Sequence, residues 1–136
     1  MAGKPAPEVT EAELGVLQAL WDKGPATIRQ LTDALYPGGG QAHYATVQKL
    51  LDRLEAKGYV GRRRTGAAHL FSAALPRDEL IGRRLQDVAE KLCGGSLTPL
   101  LTHLVRTRRL SARERQELRA LIDELDTRGP GRGEPR

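Results

Sequence analysis

The sequence of 136 residues contains very little cysteine and few aromatic residues. Cys93 is the single cysteine, which excludes an internal disulfide and any zinc site built from several cysteines. One Phe, one Trp and three Tyr leave the core to Leu, Val, Ile and Ala, which favours helices over a β-sandwich. No apolar run approaches the roughly 20 residues of a membrane span, and the start shows no secretory signal. We therefore expect a cytoplasmic protein without membrane insertion.

The charge is moderately basic and is dominated by arginine. Lys and Arg number 22 against 17 Asp and Glu, for a net charge of +5, and 17 of the 22 bases are Arg. The planar guanidinium suits phosphates and guanine edges, although many small proteins are this basic without binding an anion. The position of the charges along the chain is more informative than their total, because the formal charges of residues 1–35 sum to −2 while those of residues 41–75 sum to +4.

Helix starts are marked by three capping boxes, in which a Ser or Thr and a Glu or Gln three residues later bind each other's backbone amides. They pair Thr10 with Glu13, Thr27 with Gln30, and Ser111 with Glu114. A third helix is predicted from about Ala42 to Lys57, where Gly58 ends it. After Gly58 the hydrophobic period changes to that of two strands joined by a turn at Gly66.

Three helices followed by a two-stranded hairpin are typical of a winged helix-turn-helix, in which the third helix enters the major groove and the hairpin, or wing, contacts phosphates. The predicted DNA-binding residues are Ala42, His43, Ala45, Thr46, Lys49 and Arg53 on the third helix and Arg62, Arg63, Arg64 and His69 on the wing. Two alternatives stay open: the polar face of the helix is simply solvated, and the arginines protect an edge strand from aggregation.

The C-terminal part is predicted to form three short helices, each with one apolar stripe. Such helices make a poor monomeric core, so we expect a two-fold dimer, with packing against the winged domain as the alternative. The predicted dimerisation residues are Ile81, Leu85, Val88, Leu92, Leu97, Leu101, Leu104, Leu118, Leu121, Ile122 and Leu125. The expected organisation is a flexible lead-in (1–9), a winged-helix domain (10–75), a helical dimerisation domain (76–126) and a disordered tail (127–136).

No group of residues typical of a metal site or an active site is apparent in the sequence. His43, His69 and His103 are scattered without the spacing of metal ligands, so no metal site is expected. No nucleophile with a base and no catalytic pair of carboxylates stands out, so we predict no enzyme activity and no cofactor.

Several runs of the sequence resemble the penicillinase and methicillin-resistance repressor family, which also includes copper-responsive repressors. The similarity covers about residues 9–125, and its clearest runs are Glu13-Leu14-Gly15-Val16-Leu17, Ala42-His43-Tyr44-Ala45-Thr46-Val47, Leu51-Asp52-Arg53-Leu54-Glu55 and Lys57-Gly58-Tyr59-Val60. The resemblance implies a bacterial homodimeric repressor that binds an inverted-repeat operator and controls resistance or stress genes. It implies a mainly α fold with a small β-hairpin wing.

The resemblance also implies an inducer. In the best-known members a membrane-bound sensor protease triggers cleavage at an Asn-Phe bond in the second C-terminal helix. The matching positions here are His103 and Leu104, which are the candidate position of a proteolytic switch. The paired cysteines of the copper-responsive members are lacking.

The rival interpretation of the whole chain is a helical adaptor whose winged domain binds another protein.

Overall fold

The computed structural model describes residues 7–107 and 109–128, and within them the chain is mainly helical with one β-hairpin. The elements in order are α1 (Glu11–Lys23), α2 (Ile28–Leu35), α3 (Gln41–Ala56), β1 (Val60–Thr65), β2 (Ala68–Ala73), α4 (Arg77–Leu92), α5 (Thr98–Thr107) and α6 (Ala112–Arg128). The strands pair antiparallel. The predicted fold class, a winged helix followed by three further helices, is confirmed.

The helix starts follow the local sequence. At α1 the hydroxyl of Thr10 accepts from the amide of Glu13 at 3.2 Å, and Glu13 Oε1 accepts from the amide of Thr10 at 3.0 Å. The predicted boxes at α2 and α6 form in the same way. α6 continues to Arg128, past the predicted boundary at 126, because its capped helical sequence is not interrupted before that residue. The rest of the predicted tail lies outside the described residues.

The main hydrophobic core is formed by the apolar faces of α1, α2 and α3 together with the hairpin. Its fully buried side chains include Val16, Leu17, Leu31, Val47, Leu51, Leu54 and Phe71. Val9 is also buried, and the Nζ of Lys57 donates to the carbonyl of Glu8 at 2.7 Å. The end of the predicted flexible lead-in therefore packs against the core, while residues 1–6 lie outside the described part of the chain.

The hairpin is joined to the helices through its second strand. Arg62 pairs with Phe71 across the hairpin, and Gly66 makes the turn with a φ of 63°. Phe71 also exchanges both backbone hydrogen bonds with Ala26, at 2.8 and 2.9 Å, in the segment before α2. This bridge fixes the base of the wing beside α2.

The first turns of α4 belong to the winged unit. Leu80 is buried in its core, and the indole of Trp21 donates to the carbonyl of Leu75 at 2.8 Å. The guanidinium of Arg77 donates to Asp22 at 2.6 Å. The chain accordingly divides into two compact units between residues 83 and 84, while the domain boundary at 75/76 stays a prediction from the sequence.

The apolar stripes of α4, α5 and α6 are exposed in the single chain. Every predicted dimerisation residue is among the exposed large hydrophobic side chains, with exposed fractions from 36% at Val88 to 79% at Leu92. Val105, which shares the apolar stripe of α5 but was not among the predicted dimerisation residues, is 58% exposed. Over the residues that the structure describes, no helix is both long and apolar enough to cross a membrane.

Candidate nucleic-acid interface

The outward face of α3 is defined by what the helix buries. Its buried side chains all lie on the core side, and they are Val47, Leu50, Leu51 and Leu54. At 100° per residue the opposite side carries Ala42, Ala45, Thr46, Lys49 and Arg53, and all five are exposed. The helical periodicity therefore placed this face correctly, while its contact with DNA stays a prediction.

The N-terminus of α3 is held by a tight glycine loop. Gly38 has a φ of 78°, and a Cβ on Gly39 would lie 2.8 Å from Nδ1 of His43 and 2.9 Å from the carbonyl oxygen of Tyr36. The ring of His43 stacks on that of Tyr36 with centroids 4.5 Å apart. His43, a predicted DNA-binding residue, thus also orients the first turn of the helix.

Thr46 and Tyr44 on the first half of α3 each contact another group of the winged unit. The hydroxyl of Thr46 donates to the carbonyl of Ala42 at 3.0 Å, which leaves its oxygen able to accept a bond from outside. The guanidinium of Arg29 on α2 lies 5.2 Å from the ring centre of Tyr44. Arg29 is thus a further exposed cation beside α3. The sequence did not indicate that Arg29 lies beside α3, because the spacing of residues along the chain does not show which residues of two helices are in contact.

The three wing arginines are not equivalent. Alternation along β1 places Arg62 and Arg64 on the hairpin face that carries His69 and Phe71, and Arg63 on the other face. Arg63 and Arg64 are exposed and form no ion pair with any described residue. They remain available to an anionic partner.

Arg62 is already occupied by two carboxylates of α3. Its Nε lies 3.1 Å from both oxygens of Glu55, and its Nη2 lies 2.7 Å from Glu55 Oε1 and 3.2 Å from Asp52 Oδ1. The guanidinium also lies over the buried ring of Phe71, 4.7 Å from its centre. We call this set of contacts the Arg62 clasp.

The ion pair between Glu55 and Arg62 shifts the pKa values of these two groups in opposite directions. The hydrogen bond from Arg62 is the main cause that holds the pKa of Glu55 below its usual range, with the charge of His69 a minor one. The bond to Glu55 likewise raises the pKa of Arg62. Both groups are therefore charged at neutral pH, and the predicted role of Arg62 as a free phosphate contact has to compete with this pair.

The net charge of +4 in residues 41–75 counts cations that are already paired with carboxylates of the same chain. Lys57 is bound to the buried carboxylate of Glu13 at 2.6 Å, and Arg62 is bound in the clasp. The cations left without an ion pair in this described segment are Lys49, Arg53, Arg63 and Arg64.

His69 is less exposed than the other predicted DNA-binding residues. It is only partly exposed, its ring centre lies 6.5 Å from that of Phe71, and its Nδ1 has no hydrogen-bond partner among the described residues. In that same part of the chain no group of three or more His, Cys, Asp or Glu side chains could hold a metal ion.

Residues 9–124 match the sequence model of the penicillinase repressor family. The chain belongs to this family. The transcriptional regulator BlaI of Mycobacterium tuberculosis is 34% identical over 118 residues, which are 85% of this chain and 83% of that protein. An uncharacterised 16.5 kDa protein of Latilactobacillus sakei is 28% identical over 115 residues, which are 85% of this chain and 78% of that protein.

Among solved structures, a transcriptional regulator from Thermotoga maritima aligns over 88% of this chain and 80% of its own, with a TM-score of 0.45 and 22% identity. The family membership confirms the resemblance seen in the sequence. As a member of this family, the chain is a transcriptional regulator and not an enzyme, as predicted.

Proposed function

We propose that this member of the penicillinase repressor family is a homodimeric repressor that binds an inverted-repeat operator. The outward face of α3 enters the major groove, and the wing contacts phosphates through Arg63 and Arg64. The observation that carries this proposal is the set of four exposed and unpaired cations on α3 and β1, namely Lys49, Arg53, Arg63 and Arg64.

The small side chains on α3 support the same orientation. Ala42 and Ala45 allow the helix backbone to approach base edges, and Thr46 can accept a hydrogen bond there. The four cations of each protomer neutralise up to eight phosphates in a dimer, which corresponds to a salt slope of up to about −7 in log K against log salt. Binding of this kind depends far more steeply on salt than a neutral protein contact does.

The exposed apolar stripes of α4, α5 and α6 support the dimer. Fully burying a large apolar side chain contributes about 1.5–3 kcal/mol, so covering the half-exposed residues contributes about 1 kcal/mol each. The predicted set then contributes on the order of 10 kcal/mol, against an association cost of about 4–15 kcal/mol. A stable dimer therefore needs most of the stripe, including Leu85, Leu101 and Leu121.

A two-fold dimer would present two copies of α3 to the same duplex. Half-sites would then lie about 10 base pairs apart, or a multiple of that distance, and would be inverted relative to each other. Resistance or stress genes are the proposed targets, in line with the family.

Selection of bound duplexes from a random 30-base-pair pool by the full-length protein tests the proposal. We expect an inverted repeat with this spacing to be enriched and its binding to weaken steeply with added salt. The rival protein adaptor predicts no enriched sequence and no salt-dependent binding to DNA, and either result would count against a repressor.

We extend the proposal to an inducing membrane sensor protease acting on α5. His103 and Leu104 are exposed in the middle of this helix, and the hydroxyl of Thr107 donates to the carbonyl of His103 at 2.6 Å. In the single chain α5 has no buried residue among those described, so the packing that opposes its unwinding comes from the proposed dimer contact, and cleavage there would also remove part of that contact. If a neighbouring gene encodes such a protease, co-expression should split the chain after His103, and an unchanged intact mass would contradict this step.

A further inference from the structure

The Arg62 clasp joins two elements that DNA binding would require to act together. Asp52 and Glu55 lie one turn apart on α3, whereas Arg62 lies on β1 of the wing. A single guanidinium donates to both carboxylates and covers the face of Phe71, whose own backbone is bound to Ala26. The wing is thereby connected through Arg62 to α3 and through Phe71 to the start of α2.

The clasp also changes the charge that α3 presents. Asp52 lies between the exposed cations Lys49 and Arg53 in sequence, on the same outward side of the helix. Without Arg62, two carboxylates would stand uncompensated close to the proposed phosphate path, and their repulsion would oppose binding. With Nε and Nη2 donating to Glu55 and Nη2 also to Asp52, only Nη1 is left, so the guanidinium cannot bind a phosphate bidentately unless it gives up one of these contacts.

Resting on the proposed function, we infer that Arg62 is a positioning residue that orients the wing against α3 and neutralises Asp52 and Glu55. It is not itself a phosphate contact. Arg63 and Arg64 carry the phosphate contacts of the wing. The three consecutive arginines therefore have two roles. Arg62 binds carboxylates of its own chain, whereas Arg63 and Arg64 bind phosphates of the DNA.

A reversal of the ion pair separates the two roles. Arg62→Glu should weaken binding to a fluorescein-labelled 40-base-pair mixed-sequence duplex by at least roughly tenfold, since like charges then face each other and the DNA. Adding Glu55→Arg restores a pair between the same positions, because the new arginine faces both the new carboxylate and Asp52. We expect the E55R/R62E protein to bind within about threefold of the original.

The matched control is E55R/R63E, which has the same net charge. It should stay at least roughly tenfold weaker, because a carboxylate then replaces a phosphate contact. Charge-conserving variants give a second measurement. Arg62→Lys should lose affinity at an unchanged salt slope, since an ammonium lacks the planar fork that binds Glu55 bidentately and lies flat on the ring of Phe71, whereas Arg63→Lys should bind almost normally.

The outcomes can be told apart. If E55R/R62E binds as weakly as E55R/R63E while both proteins melt as folded chains, Arg62 is a phosphate contact and the inference is overturned. Normal binding by Arg62→Lys would overturn it as well. If the unmodified protein itself does not bind DNA, the proposed function fails instead, and the melting temperatures of the same variants still report whether the clasp holds the wing.

Discussion

The pair between Glu13 and Lys57 gives the sharpest test of how this fold is held together. Glu13 is fully buried, and its Oε1 accepts from Lys57 Nζ at 2.6 Å and from the amide of Thr10 at 3.0 Å. Its Oε2 has no partner among the described residues. Lys57→Met keeps most of the side-chain volume and removes the cation, so it leaves a buried carboxylate without its counter-charge.

Removing one partner of a buried ion pair costs about 3–5 kcal/mol, and the partial exposure of Lys57 puts this pair at the lower end, about 3 kcal/mol. For a chain of this length such a loss lowers the melting temperature by roughly 10 °C. Lys49→Met is the matched control, because that lysine is exposed on α3, the helix that Lys57 caps, and has no ion pair with any described residue. It should change stability by no more than about 0.5 kcal/mol.

The stability lost in Lys57→Met should depend on pH, and the pKa of Glu13 decides in which direction. Burial alone would raise the pKa of Glu13, but the bonds from Lys57 and Thr10 outweigh burial and hold the pKa below its usual value of 4.5. The pair therefore stabilises the original protein above about pH 4.5, and this contribution is lost as pH falls through the lowered pKa. In Lys57→Met burial dominates and raises the pKa, so protonation relieves the buried charge as the solution becomes acidic.

Melting of both proteins at pH 7 and pH 4, at one protomer concentration, measures the difference. We expect the gap in melting temperature to be largest at pH 7 and to shrink at pH 4. Glu13→Gln in the Lys57→Met background should recover much of the loss, because a neutral amide replaces the unpaired charge. An equal gap at the two pH values, or no recovery with Glu13→Gln, would refute the argument that a buried charge causes the loss.

Two further predictions address the proposed interfaces. Thr46→Glu should weaken binding to the selected operator by at least roughly tenfold while leaving melting unchanged, because the new charge faces phosphates. Gln18→Glu on the exposed side of α1 is its control, and equal affinities for the two variants would reject our orientation of α3. Leu121→Asp should convert the dimer to monomers in sedimentation experiments, since the charge would have to be buried. Gln116→Asp on the same helix should not, and a monomeric unmodified protein would remove the proposed dimer.

Local features of the fold were predictable from the sequence. The three capping boxes depend on residues three positions apart, and all three form. The face that α3 buries follows from its helical period, and the hairpin follows from the change of period after Gly58. These interactions lie within one or two turns of the chain, so residue type and spacing carry the information.

Contacts between distant residues were not predictable in this way. The sequence identified Glu13 as a capping residue, but only the tertiary structure showed that it also binds Lys57, 44 positions away. The sequence likewise presented Arg62, Arg63 and Arg64 as one basic run. Packing of the wing against α3 decided that Arg62 faces two carboxylates and an aromatic ring, because strand alternation and helix position together set which charges meet.

By itself, then, the sequence determined the elements, their order, the family and the identity of the exposed apolar stripes. The tertiary structure decided where the winged unit ends and which of its cations are free. The physical reason is the distance along the chain over which each kind of interaction acts. Hydrogen bonding and periodicity act between near neighbours in the chain, whereas charge pairing and burial depend on what folding brings together.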